Sequence, residues 1–208
     1  MIEYQDVGFS FDGKKIIEHF SERIHPGEHV CLMGESGAGK STLLNSLMGL
    51  TVPCSGQIVV DGVVVSPHTI QSIRSTIAWV PQEVHLPYEF VRETVSALYE
   101  LKVNRGASLD ENQMFMLFNE LGLEHSLYNR RMNEISGGER QRLMLVLAVL
   151  LNKKILLLDE PTSAIDSQTR SRIIDFLQKL DVTLLSVTHD MSFASSCHRV
   201  IRISKIRE

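Results

Sequence analysis

The sequence predicts an α/β fold: a mainly parallel sheet core with an N-terminal antiparallel β subdomain and an inserted helical subdomain. Three observations carry this. The apolar runs "KILLLDEP" at 154–161 and "VTLLSVTHD" at 182–190 are too short for helices and end in acidic or His residues, as buried parallel strands do at a functional edge. A third run, "EHVCLM" at 28–33, enters a Gly-rich turn followed by the helically spaced leucines of "STLLNSLMGL". Between Gln82 and Ser136 the periodicity turns helical, in "YEFVRETVSALYELK" and "LDENQMFMLFNELGL".

Taken in order, residues 1–25 read as short strands around a turn at Asp12-Gly13, and "IVVDGVVV" at 58–65 is a hairpin around Asp61-Gly62. Residues 84–135 form the inserted helical subdomain, with residues 1–83 and 136–208 as the core carrying the β subdomain. Within the insert, Ser108 and Glu111 have the S-x-x-E spacing of a capping box, which places a helix start there. The final strand is placed at 182–190, and no repeat, low-complexity segment or sustained heptad pattern is present.

Composition excludes several classes. With 21 basic against 25 acidic residues the net charge is −4, which offers nothing to a nucleic-acid backbone or an anionic membrane surface. Cys31, Cys54 and Cys197 are scattered without a C-x-x-C pair, so neither a disulfide framework nor a zinc site is expected, and a reducing cytosol fits. The amino terminus has no signal-peptide pattern. The longest apolar run, "LMLVLAVLL" at 143–151, falls short of the roughly 20 residues that span a bilayer. A cytoplasmic location is expected, with membrane contact only through a partner.

"GESGAGKS" at 34–41 fits G-x-x-x-x-G-K-[ST] between a strand and a helix, the context of a P-loop NTPase. The amides of Glu35, Ser36, Gly37, Ala38, Gly39, Lys40, Ser41 and Thr42 can wrap a β-phosphate, because glycines allow the dihedrals and a helix N-terminus favours anions. Gly34 opens the motif, Lys40 would reach the β- and γ-phosphates, and Ser41 would place its hydroxyl on Mg²⁺. Asp159, ending an apolar strand, is placed to hold Mg²⁺ through water, and Glu160 beside it to polarise an attacking water. His189 ends its strand at the same sheet edge, where it would contact a γ-phosphate.

A second Gly-rich turn, "ISGGERQR" at 135–142, opens another helix. Ser136 and Glu139 satisfy a capping box, but capping leaves Gly137 and Gly138 unexplained, since glycines weaken a first turn unless something approaches the backbone. The turn is an anion site suited to a γ-phosphate. As one nucleotide needs one cradle, the second most simply serves a nucleotide held by another copy, related head to tail by a twofold axis.

This set resembles the ATP-binding subunit of an ABC transporter. The loop "GESGAGKST", Gln82 in "WVPQE", "ISGGE", "ILLLDE", "SAID" and "THD" occur in that family's order over nearly the whole chain. The resemblance implies an ABC-type ATPase using ATP and Mg²⁺, with Phe11 stacked on adenine and Gln82 touching Mg²⁺ and the attacking water. It also implies that Ser163 to Asp166 crosses a dimer interface. The implied partners are transmembrane permease subunits and either a second copy of this chain or a related cassette. The sequence departs from the commonest pattern in reading ISGGE for LSGGQ and Phe11 for tyrosine. "SIRSTIAWVPQE" is similar to exporter-type cassettes, and the short stretch after His189 implies no regulatory domain there. The competing reading is a soluble ABC-type mechanical ATPase acting in DNA repair or on ribosomes; a GTPase or small kinase would leave the second turn unexplained.

Overall fold

In the computed structural model, which describes residues 1–83, 87–104, 108–163 and 165–206, the chain opens with an antiparallel pair, β1 (Ile2–Phe11) and β2 (Lys14–Ile24). Asp12 and Gly13 between them both have positive φ, 50° and 78°, as a two-residue hairpin turn requires. These strands are not short: they run ten and eleven residues. Register shifts interrupt their pairing, and Asp6 and His19 sit at φ 53° and 51°. Such bulges bend a ribbon without ending it, so alternation breaks in the sequence where the backbone continues.

The buried strand β3 (His29–Gly34) leads through the Gly-rich loop into α1 (Lys40–Leu47). Strand β4 (Ser55–Val60) then pairs with β1, and Asp61 and Gly62, at φ 49° and 80°, turn it into the short β5 (Val63–Val64). The antiparallel sheet runs β2-β1-β4-β5. Next come α2 (Ile70–Arg74) and β6 (Ile77–Val80). Arg74 ties this segment to the end of α1 by donating twice to the carbonyl of Met48, at 2.9 and 2.7 Å.

The segment expected as an insert, 84–135, contains α3 (Val91–Glu100) and α4 (Glu111–Glu120). Its expected first residue, 84, lies outside the described residues. Helix α4 is not capped by Ser108: Glu111 is its first helical residue, and the Asp110 carboxylate accepts the N–H of Gln113 at 3.1 Å. An Asp immediately before the helix captures the free amide that Ser108 is too far back to reach. Helix α5 (Gly137–Leu150) does begin with a capping box, Ser136 Oγ accepting from Glu139 N at 3.2 Å and Glu139 Oε2 from Ser136 N at 2.8 Å.

The remainder alternates: β7 (Ile155–Asp159), α6 (Ser167–Gln178), β8 (Thr183–Val187), α7 (Met191–Ser196) and β9 (Arg199–Ile203). The parallel sheet runs β6-β7-β8-β3-β9. The strand at 182–190 is therefore not the last, because β9 follows and pairs with β3 from Val30↔Arg199 to Gly34↔Ile203. As an edge strand it buries only Ile201 and Ile203 while Val200 and Arg202 stay exposed, so it lacks the continuous apolar run of a central parallel strand.

Both faces of the parallel sheet are covered. On β7, Leu156 and Leu158 pack with Val91, Phe118, Leu143 and Phe176 from the helices, while Ile155 and Leu157 join Ile2, Val30, Leu44 and Ile58 on the other side. The period-2 alternation of a strand thus feeds two cores. Each fully buried leucine among them contributes about 2 kcal/mol. This packing fixes the carboxyl ends of β3, β7 and β8 side by side.

Candidate functional site

At those strand ends lies a cavity of about 420 Å³, lined by Ser36, Gly37, Gly39, Lys40, Ser41 and Thr42 from the loop and α1. Facing them are Asp159 and Glu160 after β7, Val187 and His189 from the end of β8, Gln82 after β6, and Phe11 and Ile16 of the β1–β2 ribbon. An open α/β sheet gathers ligand-binding groups at this edge. Phe11 is 47% exposed although it is a large aromatic, which leaves its ring face available to a flat ligand.

The loop geometry depends on two glycines. A Cβ on Gly34 would stand 2.1 Å from the carbonyl oxygen of Ile203, so only glycine lets β9 lie against the loop entrance. Gly39, the residue before α1, has φ 93°, a conformation side chains resist. Between them Ala38 is buried and Glu35 exposed. The Nζ of Lys40 donates to the carbonyls of Gly34 and Glu35, both at 2.9 Å. Burial holds the Lys40 amine below the usual lysine range, partly offset by Glu160 and Asp159.

Across the cavity, Ser41 Oγ donates to Asp159 Oδ1 at 3.5 Å. Burial pushes the Asp159 carboxyl above the ordinary carboxylate range, against the opposing influences of Ser41 and Lys40. A hydroxyl and a desolvated carboxylate facing one cavity fit a hard cation such as Mg²⁺, whose charge would relieve the burial. Among the described residues no group of three or more His, Cys, Asp or Glu side chains could hold a metal. Such a cation would therefore complete its shell with water and phosphate oxygens, as Mg²⁺ does in phosphate sites.

Glu160 is a non-glycine residue at φ 51°. Its N–H donates to Val187 O at 2.8 Å, and its Oε2 accepts from the hydroxyl of Thr188 at 3.2 Å and the amide of His189 at 3.3 Å. The His189 Nε2 lies 3.5 Å from Glu160 Oε1. Behind them, Thr188 Oγ1 accepts from Asp190 N at 3.0 Å, Thr162 donates to Asp190 Oδ2 at 2.9 Å, and Arg170 pairs with the same oxygen at 3.0 Å. Thr188, Asp190 and Gln141, which donates to Glu160 O at 2.7 Å, are contacts the sequence reading did not single out. The only signal was a polar residue at the end of an apolar strand or one turn into a helix.

Ser136, Gly137, Gly138 and Glu139 do not line this cavity. Ser136 and Gly137 are exposed at the start of α5, and a Cβ on Gly137 would meet nothing within 4 Å. The capping amide of Ser136 holds the Glu139 carboxyl below its ordinary range. Ser163 is exposed and Asp166 caps α6 by accepting from Thr169 N at 3.0 Å, while residue 164 lies outside the described residues.

The profile of the family described as "ABC transporter" matches residues 17–163. The phosphonates import ATP-binding protein PhnC of Hydrogenovibrio crunogenus is 32% identical over 195 residues, covering 88% of this chain and 72% of that protein. The ABC transporter ATP-binding protein YxdL of Bacillus subtilis is 33% identical over 217 residues, covering 98% of this chain and 83% of that one. Among solved structures, a dimeric ATP-binding cassette in a post-hydrolysis state with ADP and Pi superposes with a TM-score of 0.86 at 27% identity, covering 100% of this chain and 97% of its own. The α/β fold thus agrees with that of the similar cassette. The chain belongs to the ABC transporter family, as an ATP-binding and ATP-hydrolysing cassette.

Proposed function

We propose that this cassette binds MgATP in the cavity and closes head to tail on a second copy, or on a related cassette, to drive transmembrane permease subunits from the cytoplasmic face. One observation carries the reading. Lys40, Ser41, Asp159, Glu160 and His189 face one cavity, whereas the Ser136–Glu139 turn of the same chain stands outside it, with Ser136 and Gly137 exposed and open space beside Gly137. A helix-start anion cradle that does not line its own chain's cavity is suited to a nucleotide held by another copy.

In this reading Phe11 stacks on adenine, and the amides of 35–42 surround the β-phosphate. Lys40 moves from its carbonyl partners to the β- and γ-phosphates. Ser41, Asp159 and Gln82 would hold Mg²⁺, which when bound neutralises phosphate charge. Glu160 polarises the attacking water and accepts its proton, and His189 contacts the γ-phosphate. Residues 84–135 act as an inserted helical subdomain which, with the Gln82 loop, meets the permease, while Ser163–Asp166 crosses the dimer interface. No helix among the described residues is long and apolar enough to cross a membrane, and the relatives' names are those of transporter subunits, which supports action through a membrane partner rather than on nucleic acid.

Glu160→Gln removes the proton acceptor and keeps the shape. Its expected behaviour is a dimer that persists in MgATP by size-exclusion chromatography with light scattering, with turnover reduced by roughly 100-fold or more. A protein that stays monomeric at saturating MgATP would overturn the head-to-tail reading.

A further inference from the structure

The peptide joining Glu160 to Pro161 is unusual in what can anchor it. Proline has no N–H, so this peptide has a single hydrogen-bonding group, the carbonyl of Glu160. That carbonyl accepts from Nε2 of Gln141 at 2.7 Å and, at the longer distance of 3.3 Å, from the N–H of Ser163. Every other polar group of Glu160 is held from the β8 side: its N–H by Val187, its carboxylate by Thr188 and the His189 amide. Among the described residues, Gln141 is the one that ties this residue to α5.

The bond matters because Glu160 sits at φ 51°, a conformation that a non-glycine residue keeps only when its surroundings over-determine it. Without Gln141 the carbonyl keeps only the longer bond from Ser163, which leaves the peptide plane freer to rotate and carry the carboxylate with it. Gln141 also lies only one turn into α5 from Ser136, within a helix whose N-terminal turn is locked by the capping box. A rigid first turn transmits displacement at its exposed end to the side chain one turn along.

We infer that Gln141 is a positioning residue through which the Ser136–Glu139 turn controls the placement of Glu160 in the same chain. The consequence is crosswise. The turn touches the nucleotide of the partner copy, whereas Gln141 adjusts the proton acceptor of its own site, so occupancy of one site tunes hydrolysis at the other. This rests on the reading of Glu160 as the group that polarises water.

The test uses the full chain, with MgATP turnover, nucleotide affinity and thermal stability measured side by side for three variants. Gln141→Leu keeps the bulk and loses the donor; the expected result is kcat lowered roughly 10-fold with KM changed less than about 3-fold. Gln141→Glu sets a carboxylate against the carbonyl near neutrality, but its protonated form donates an O–H in place of the amide. Its kcat as a ratio to wild type at the same pH therefore rises as the pH is lowered from about 8 towards about 5.5. A residue that merely packs would give no such recovery.

Glu160→Gln separates the two readings. If it abolishes turnover while Gln141→Leu turns over like wild type, the positioning role is overturned and the assignment of Glu160 stands. If Glu160→Gln retains turnover, the base assignment fails and the positioning role falls with it. Should Gln141→Leu not fold, the pH ratio of Gln141→Glu decides alone, and a flat ratio overturns the inference.

Discussion

The hydroxyl of Thr188 donates to Oε2 of Glu160 at 3.2 Å while accepting the N–H of Asp190 at 3.0 Å, at a position with no solvent exposure. One oxygen thus joins the acidic strand end to the turn after β8. Thr188→Val keeps the shape and removes both bonds, leaving a buried amide without that acceptor. The expected cost is about 1–3 kcal/mol of stability, read as an earlier urea midpoint with unchanged slope. Turnover should fall as well, because the carboxylate of Glu160 loses a donor that fixes its orientation.

The contact between Gly34 and β9 makes a second prediction. A methyl group at Gly34 would meet the Ile203 carbonyl at 2.1 Å, and backbone cannot swing aside as a side chain can. Gly34→Ala should force β9 away from β3 at a cost of about 1–3 kcal/mol or more. Thermal unfolding followed by the fluorescence of the sole tryptophan, Trp79, reads the loss. A variant as stable as wild type would show that β9 yields freely.

A third prediction concerns acid, at the end of the sheet away from the cavity. His29 is buried, its amide donates to Nδ1 of His198 at 2.8 Å, and the two rings lie 5.1 Å apart. Burial first, and His198 second, hold the His29 imidazole below its ordinary value of 6.5, against the carbonyls of Leu180 and Val182. The folded protein therefore resists the proton that the unfolded chain accepts. Stability is full above the ordinary histidine range, declines as pH falls through it, and levels off below the depressed folded value. Melting temperature measured from about pH 8 to about pH 5 should show this decline, and His29→Gln should flatten it.

The elements legible in the sequence were those whose pattern is local. Strands β7 and β8 are continuous apolar runs, and the Asp12-Gly13 and Asp61-Gly62 pairs turn the chain where their positive φ is needed. That Lys40, Asp159, Glu160 and His189 meet at one cavity followed from parallel strands presenting their carboxyl ends together. What escaped depends on neighbours distant in the chain. Strand β9 alternates because it is an edge, the ribbon β1–β2 hides its length behind bulges, and Asp110 outcompetes Ser108 only once the helix start is fixed. Gln141 and Thr188 acquire partners 19 and 28 residues away, and nothing periodic announces such pairs.

The position of β3 bears on how the protein is made. Residues 29–34 leave the ribosome early, yet the strands that flank them in the sheet, β8 and β9, are encoded at 183–187 and 199–203. At about 5–20 residues per second, the strand that launches the phosphate loop waits on the order of 10 s for either neighbour. Throughout that interval Val30, Cys31 and Leu32, fully buried in the finished sheet, are bare apolar surface for a chaperone to cover. Asp159, Glu160 and His189, which line the same cavity, are also unmade or unplaced for much of that interval. Synthesis that stops before β9 leaves the Gly-rich loop without the strand that flanks its entrance.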